Sequence, residues 1–287
     1  MTVPHADAAP ISRTAAWVAA FRAAESARHD RLFNDPYAAR FALDPGVSRV
    51  RGGNLAAAVV TARTVTFDAL ILRTIAHEHI DAVLSLACGY DTRPYRLPIP
   101  PSVTWIECDL PYVLRHKAAQ LEDAKACCRI EHVAGDLRLP EVRARLLADV
   151  AARFKRVLVI TEGLLLYLTP DEAHGLAAAF HGCPPVCYWL TDLMSPAARN
   201  RMNRMAHREL NNADTRLNFA PAAGARAFVH QGWDPVDARG TFAEMRRIGR
   251  MPGLIMGTVL HIAAALAPHG FNGTVLLRAR KDMSTTT

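Results

Sequence analysis

The sequence predicts an α/β fold built on a mostly parallel sheet with helices on both faces. Three observations predict it. Between residues 82 and 192, short apolar runs alternate with longer amphipathic ones, the order that parallel βαβ units require. Four consecutive apolar runs end in Gly89, Asp109, Asp136 and Glu162, so chemistry-bearing residues collect at one end of the strands. Of the 287 residues, 51% are hydrophobic, enough for one large domain with both sheet faces covered.

The elements follow in order. Ser12 can cap a first helix running to His29, with Trp17, Phe21 and Ala24 on one face. Pro36 suits the first turn of a short helix over 36–43. Pro45-Gly46 and Gly52-Gly53 then break the chain, and a long helix over 55–79 carries neither glycine nor proline. Strands are expected at 82–87, 103–108, 130–134, 156–161 and 186–192, and helices at 113–125, 141–154 and 171–181. After Ser195 the pattern loosens: a helix over 196–210, a loop over 211–221, a helix over 222–230, a turn at Gly232-Trp233, and a last strand over 273–280. The expected organisation is a single domain. Its parts are a helical covering (1–80), a ligand-binding core (81–194), a substrate-covering region (195–266), and a last strand and tail (267–287).

Composition removes several function classes. The net charge is +7 and the pI near 9.3, but the arginines are scattered rather than striped, so no nucleic-acid partner is expected. No run of about 18 consecutive apolar residues occurs, so no membrane partner is expected. Residues 1–10 show no secretory pattern, which points to a cytoplasmic location. The six cysteines form no C-x-x-C pair and read as reduced thiols. His77-Glu78-His79 lacks the spacing of a zinc helix, and no metal is expected.

The chemistry gathers after the first strand, in "LACGYDTRPYRL". A dinucleotide site calls for G-x-G-x-x-G, which sets a helix N-terminus against a pyrophosphate. Here only Gly89 is present, followed by Asp91 and Pro94 at the other two positions. A nucleoside ligand without phosphates fits better. Asp109 lies twenty residues after Gly89, where an acid can accept from a ribose diol or simply cap the next helix. Asp136 can accept from an exocyclic amine while Leu137 packs on a purine face. Taken together, the four strand ends point to an adenosine-type ligand, of which S-adenosyl-L-methionine is the commonest phosphate-free example. Its carboxylate calls for a cation, and Arg63 on the long helix is the candidate, unless it is an exposed helix arginine. Glu162 or a strand-end carbonyl can balance its ammonium.

These segments resemble the leucine carboxyl methyltransferase-like family of class I S-adenosylmethionine-dependent methyltransferases, in its bacterial O-methyltransferase branch. "TAAWVAAFRAAES", "LFNDPYAARFA" and "ARTVTFDALI" are similar to its N-terminal helices and arginine segment. "LACGYDTRPYRL", "WIECDLPYVLRHKAAQL", "GDLR" and "ITEGLLLYLTPDEA" are similar to its strand-end signatures, and the likeness covers nearly the whole chain. The resemblance implies a Rossmann-like fold with a seven-stranded, mostly parallel sheet and a C-terminal helical cap insertion. It implies Arg63 on the cofactor carboxylate, Gly89 beside the methionyl part, Asp109 on the ribose, Asp136 and Leu137 at the adenine, and Glu162 near the amino group, with Ala87 and Leu110 also among the cofactor-binding residues. Asp91 and Arg93 brace the loop. Ala87 departs from the family's G-x-G-x-D-T-R core, where a glycine is usual.

Methyl transfer from a sulfonium needs no metal, and a carboxylate acceptor needs no base. The expected acceptor is a small molecule, a carboxylate or hydroxyl of a natural product. A protein C-terminal carboxylate is the alternative within the enzyme class, and a cofactor-binding homologue that transfers no methyl, such as a cyclase, is another. Tyr167 and His207 are candidate substrate contacts, each equally readable as an ordinary core or surface residue. Met202, Met205, Met245, Met251 and Met256 suit an irregular apolar pocket or ordinary packing. No catalytic residue is assigned.

Overall fold

The structure is a computed structural model that describes residues 10–42, 53–210, 216–253 and 271–280; the side chains of 10–13, 53–54 and 205–210 lie outside the description. Among the described residues seven strands form one sheet in the order β3-β2-β1-β4-β5-β7-β6. They are β1 (Ala82–Leu86), β2 (Thr104–Asp109), β3 (Arg129–Ala134), β4 (Val157–Thr161), β5 (Val186–Leu193), β6 (Trp233–Gly240) and β7 (Gly273–Ala279). β1 to β5 pair in parallel, while β7 runs antiparallel between β5 and β6. The strand order reverses at β1, which lies between β2 and β4, and this is where such sheets bind ligands.

The helices are α1 (Pro10–Ser26), α2 (Gly53–Glu78), α3 (Arg93–Arg96), α4 (Pro111–Gln120), α5 (Pro140–Arg153), α6 (Pro170–His181), α7 (Pro196–Leu210) and α8 (Thr241–Arg247). Proline opens α4, α5 and α6, where its missing N–H loses nothing. α6 adds a capping box between Thr169 and Glu172, and the Ser195 hydroxyl accepts from the Ala198 N–H at the start of α7. Alternate strand residues bury on opposite faces. Val83, Trp105, Leu158 and Leu190 meet Phe67, Leu70 and Ile71 of α2. Leu84, Ile106, Val159 and Trp189 meet Leu146 of α5 and Leu176 and Phe180 of α6.

Several expectations are corrected. The first helix begins at Pro10, so Ser12 lies inside it rather than before it. Its buried face carries Ala16, Ala19 and Phe21, and Ala24 is exposed. The helix expected over 36–43 is a single 3₁₀ turn, Ala38–Arg40. The helix expected over 222–230 is two short 3₁₀ turns. Trp233 begins a strand where a turn is expected, because β6 contains Pro235 and alternates weakly, with an irregular register between Pro235 and Asp237. That strand and α8 fall within the region expected only to cover the substrate.

By length and composition α2 could cross a membrane, since residues 55–78 contain an 18-residue window with a mean hydropathy of 1.7. The consecutive-run criterion does not detect it because Thr61, Arg63, Thr64, Thr66 and Asp68 interrupt the apolar residues. In the fold it is a core helix. Phe67, Leu70 and Ile71 are fully buried against the sheet, and Arg63 and Asp68 hold ion pairs.

Ala87, the residue in place of the usual glycine, adopts φ +49. That left-handed conformation disfavours a non-glycine residue by roughly 1–2 kcal/mol. Ala87→Gly should therefore raise the thermal midpoint, because the strain released exceeds the roughly 0.4–1 kcal/mol of added unfolded-chain entropy. A midpoint at or below that of the parent protein in a melting curve would contradict the assignment of strain.

Candidate active site

The site forms at the carboxyl ends of β1, β2, β4 and β5. After β1 the chain turns through Ala87, Cys88 and Gly89, and Gly89 also has φ +49. A Cβ built on Gly89 would lie 3.3 Å from the Ala15 Cβ of α1, so the first helix sits directly over this loop. The Gly89 N–H donates to Asp109 Oδ2 at 2.7 Å, and the Leu110 N–H donates to Asp109 Oδ1 at 2.7 Å. Each carboxylate oxygen thus keeps a free lone pair. Burial raises the Asp109 pKa against these two hydrogen bonds, and Lys117 is a further, weaker lowering influence. Among the described residues no cation is bonded to the buried acid Asp109, which makes it a suitable acceptor for a diol. Leu110 precedes α4 as its extended cap residue.

Arg63 of α2 is no exposed helix arginine. Its Nε lies 2.9 Å from Glu162 Oε1, and its Nη1 donates to Asp192 Oδ2 at 3.0 Å. Burial would lower its pKa, but Glu162 and Asp192 outweigh that and raise it. Glu162 is also the partner of Arg93, whose Nη1 donates to Glu162 Oε2 at 2.7 Å and to Asp91 Oδ2 at 3.0 Å, while its Nε reaches Asp68 at 2.7 Å. Burial pushes the Glu162 carboxyl up, yet Arg93 and Arg63 hold it below the usual range. Burial likewise raises Asp91, and Arg93, Lys117 and Arg22 reverse this, leaving it at about 2. Asp91 also accepts the Arg93 N–H. These charges therefore hold the turn closed, as the sequence suggests.

Asp136 stands further along the edge, after β3. It accepts from Arg138 through both oxygens and keeps some exposure, and the Arg138 hydrogen bond lowers its pKa despite a smaller burial effect. Leu137 is partly buried against the main core. Tyr167, in the 3₁₀ turn after β4, is half-buried. Its phenol is raised by burial, partly offset by a hydrogen bond from Thr14 of α1. The His207 side chain lies outside the described residues.

Four contributors are not among the site residues singled out from the sequence. Asp192 ends β5 as Glu162 follows β4, and its signal is visible in "WLTDL", a fifth strand run ending in an acid. Asp35 reads locally as part of a helix start. It is buried and accepts from Arg22 Nε at 2.9 Å and from the Thr92 hydroxyl at 2.7 Å, tying the N-terminal segment to the loop. Thr14 and Ala15 give no sequence signal, because only the approach of α1 brings them to the site.

The leucine carboxyl methyltransferase family model matches residues 15–181. The chain belongs to this family. A relative from Saccharopolyspora erythraea, named "Putative S-adenosyl-L-methionine-dependent methyltransferase", is 38% identical over 182 residues, 58% of this chain and 62% of that protein. The chain thus matches less than two thirds of the length of that relative. A Mycobacterium marinum protein of the same name is 29% identical over 270 residues, 85% of this chain and 83% of that one. Two crystal structures share the fold. One is a "putative methyltransferase" from Thermobifida fusca, with a TM-score of 0.50 at 16% identity, covering 78% of this chain and 83% of that one. The other is a DUF574 family protein from Streptomyces avermitilis, with a TM-score of 0.54 at 12% identity, covering 93% and 97%.

The family's cofactor is S-adenosyl-L-methionine, and the residues present fit it. Asp109 offers two unshared lone pairs for ribose hydroxyls. Gly89 lets α1 lie close over the loop, where a side chain would press on Ala15. Among the described residues, the hydrogen bond of Arg63 runs from Nη1 to Asp192, and a ligand carboxylate would meet the rest of the guanidinium.

Asp109→Ala should weaken binding of S-adenosylhomocysteine by about 1–3 kcal/mol. The affinity of the parent protein should fall as acid protonates Asp109, starting above its ordinary value because burial raises it. Calorimetry showing equal affinity in a folded variant would remove Asp109 from the site. Arg93→Met strands buried carboxylates and should cost about 3–5 kcal/mol at neutral pH. Asp91 and Glu162 have depressed folded pKa values. Their stabilisation is therefore present above the ordinary carboxylate range and is lost as pH falls through the depressed values. Urea midpoints measured against pH should show the gap between parent and variant closing towards about pH 2, where Asp91 titrates; a gap independent of pH would refute the electrostatic account.

Proposed function

We propose that the protein is an S-adenosyl-L-methionine-dependent O-methyltransferase acting on a small molecule, with a carboxylate oxygen favoured over a hydroxyl as acceptor. When bound, the cofactor supplies a methyl group already activated on a sulfonium sulfur. The task left to the protein is to position the two reactants, which in well-oriented cases is worth up to ~7–11 kcal/mol. Arg63 and Asp109 would hold the two ends of the cofactor, with Asp136 and Leu137 at its purine. The close cover of α1, through Thr14 and Ala15, would keep water from the reacting edge.

The observation that carries the acceptor class is that the acids beside Tyr167 are already occupied. Burial raises its phenol, so it stays protonated and donates rather than accepts a proton. Glu162 is held ionised by Arg93 and Arg63 and is occupied by both. Asp192 accepts from Arg63 and from the Gly163 N–H. Beside Tyr167, Glu162 and Asp192 are thus both engaged by Arg63 rather than free to take a proton. A carboxylate acceptor brings its own charge and needs no base, whereas an alcohol would lose the ~10²–10⁴-fold that a base provides. Tyr167 would donate to such an acceptor. The acceptor belongs to secondary metabolism in this reading, with neither nucleic acid nor membrane as partner. The cytoplasmic location proposed with it is supported by six free cysteines.

Incubation of cell extract with the protein and methyl-labelled cofactor tests the proposal by mass spectrometry. The expected product is the methyl ester of a small acid, from which mild base releases the label as methanol. Label on a protein C-terminus, label stable to base, or cofactor bound without turnover would each overturn it.

A further inference from the structure

We infer that Asp192 is a positioning residue for the methionyl carboxylate site, acting through Arg63; this rests on the cofactor assignment above. Asp192 lies at the carboxyl end of β5 and is only 15% exposed in its side chain. Its two oxygens make different contacts. Oδ2 accepts from Arg63 Nη1 at 3.0 Å, and Oδ1 accepts from the Gly163 N–H at 2.7 Å. Gly163 has φ +67, and a Cβ there would stand 3.6 Å from Arg63 Nη1. One carboxylate therefore fixes the arginine and the turn after β4 in a single arrangement.

Geometry explains why two acids are needed. A guanidinium at the end of a long side chain has several rotamers, and one ion pair leaves it free to swing about that contact. Glu162 Oε1 lies 2.9 Å from Nε as an ion pair without a hydrogen bond, so it holds the charge but not the direction, and Asp192 sets the direction through the hydrogen bond from Nη1. Among the described residues no hydrogen bond engages Nη2, and with Nη1 fixed it has a defined direction. Glu162 cannot supply the directing bond as well, because its other oxygen is taken by Arg93. Arg63 carries the charge the ligand carboxylate meets, and Asp192 sets the direction from which it is met.

Asp192→Asn keeps the shape and a carbonyl oxygen for the Gly163 N–H but removes the charge that faces Arg63. Calorimetric titration with two ligands separates positioning from general damage. S-adenosylhomocysteine carries the methionyl carboxylate, and 5′-methylthioadenosine lacks it. The expected result is about 10-fold weaker binding of S-adenosylhomocysteine, with 5′-methylthioadenosine unchanged and the ligand-free melting midpoint near that of the parent. In an Arg63→Met background the same substitution should change neither affinity. Unchanged S-adenosylhomocysteine affinity, or equal weakening of both ligands, would overturn the inference. Should Asp192→Asn fail to fold, the ratio of the two affinities in Asp192→Ser decides the same question. Failure of the parent protein to bind either ligand would instead overturn the cofactor assignment itself.

Discussion

The guanidinium of Arg93 is the contact on which the rest of this structure depends. It is 3% exposed in its side chain and meets three carboxylates from three parts of the chain: Asp68 of α2, Asp91 of the loop after β1, and Glu162 after β4. A planar cation with five donors can satisfy three acids at once in a fixed geometry that a lysine does not offer. Arg96 takes the second oxygen of Asp68, and Arg22 and Thr92 share Asp35. Alternating charges thus run from α1 through α3 to the edge of β4. Such a network is expensive to desolvate. It is also directional, and it fixes the loop, two helices and a strand end in one relation.

From that relation the division of labour among the acids follows. Glu162, Asp91 and Asp68 are occupied by arginines and serve the framework. Asp109 is different, because two backbone N–H groups hold it and, among the described residues, no bonded cation neutralises it. Burial works against its charge, so it gains from hydroxyl donors that a ligand brings. The loop after β1 offers no second glycine and no long helix: α3 is four residues long. A diphosphate would meet Asp91 and Glu162 rather than a helix N-terminus, and like charges would oppose it.

Much of this is legible in the sequence because it rests on short-range patterns. Strand runs ending in Gly89, Asp109, Asp136 and Glu162 announce a shared edge, since parallel strands place their carboxyl ends together. Arg63 is legible through its segment's resemblance to a known family, but its pairing with Asp192 joins residues 129 apart and has no local trace. Asp35 looks like part of a helix start because it precedes Pro36, and its partners Arg22 and Thr92 come from other elements. β6 is obscured for the opposite reason: Pro235 and mixed polarity suppress the strand signal, and pairing with β7 supplies what the local sequence lacks. Ala87 stands out as a departure from the family core, yet only the backbone shows that it occupies a left-handed position.

The most direct test of the central claim, that this edge receives a nucleoside joined to an amino acid rather than a dinucleotide, is a pair of calorimetric titrations of the unaltered protein. S-adenosylhomocysteine should bind at a single site, and NADH should give no heat of binding at the same concentrations. Saturable binding of NADH, with none of S-adenosylhomocysteine, would contradict the account.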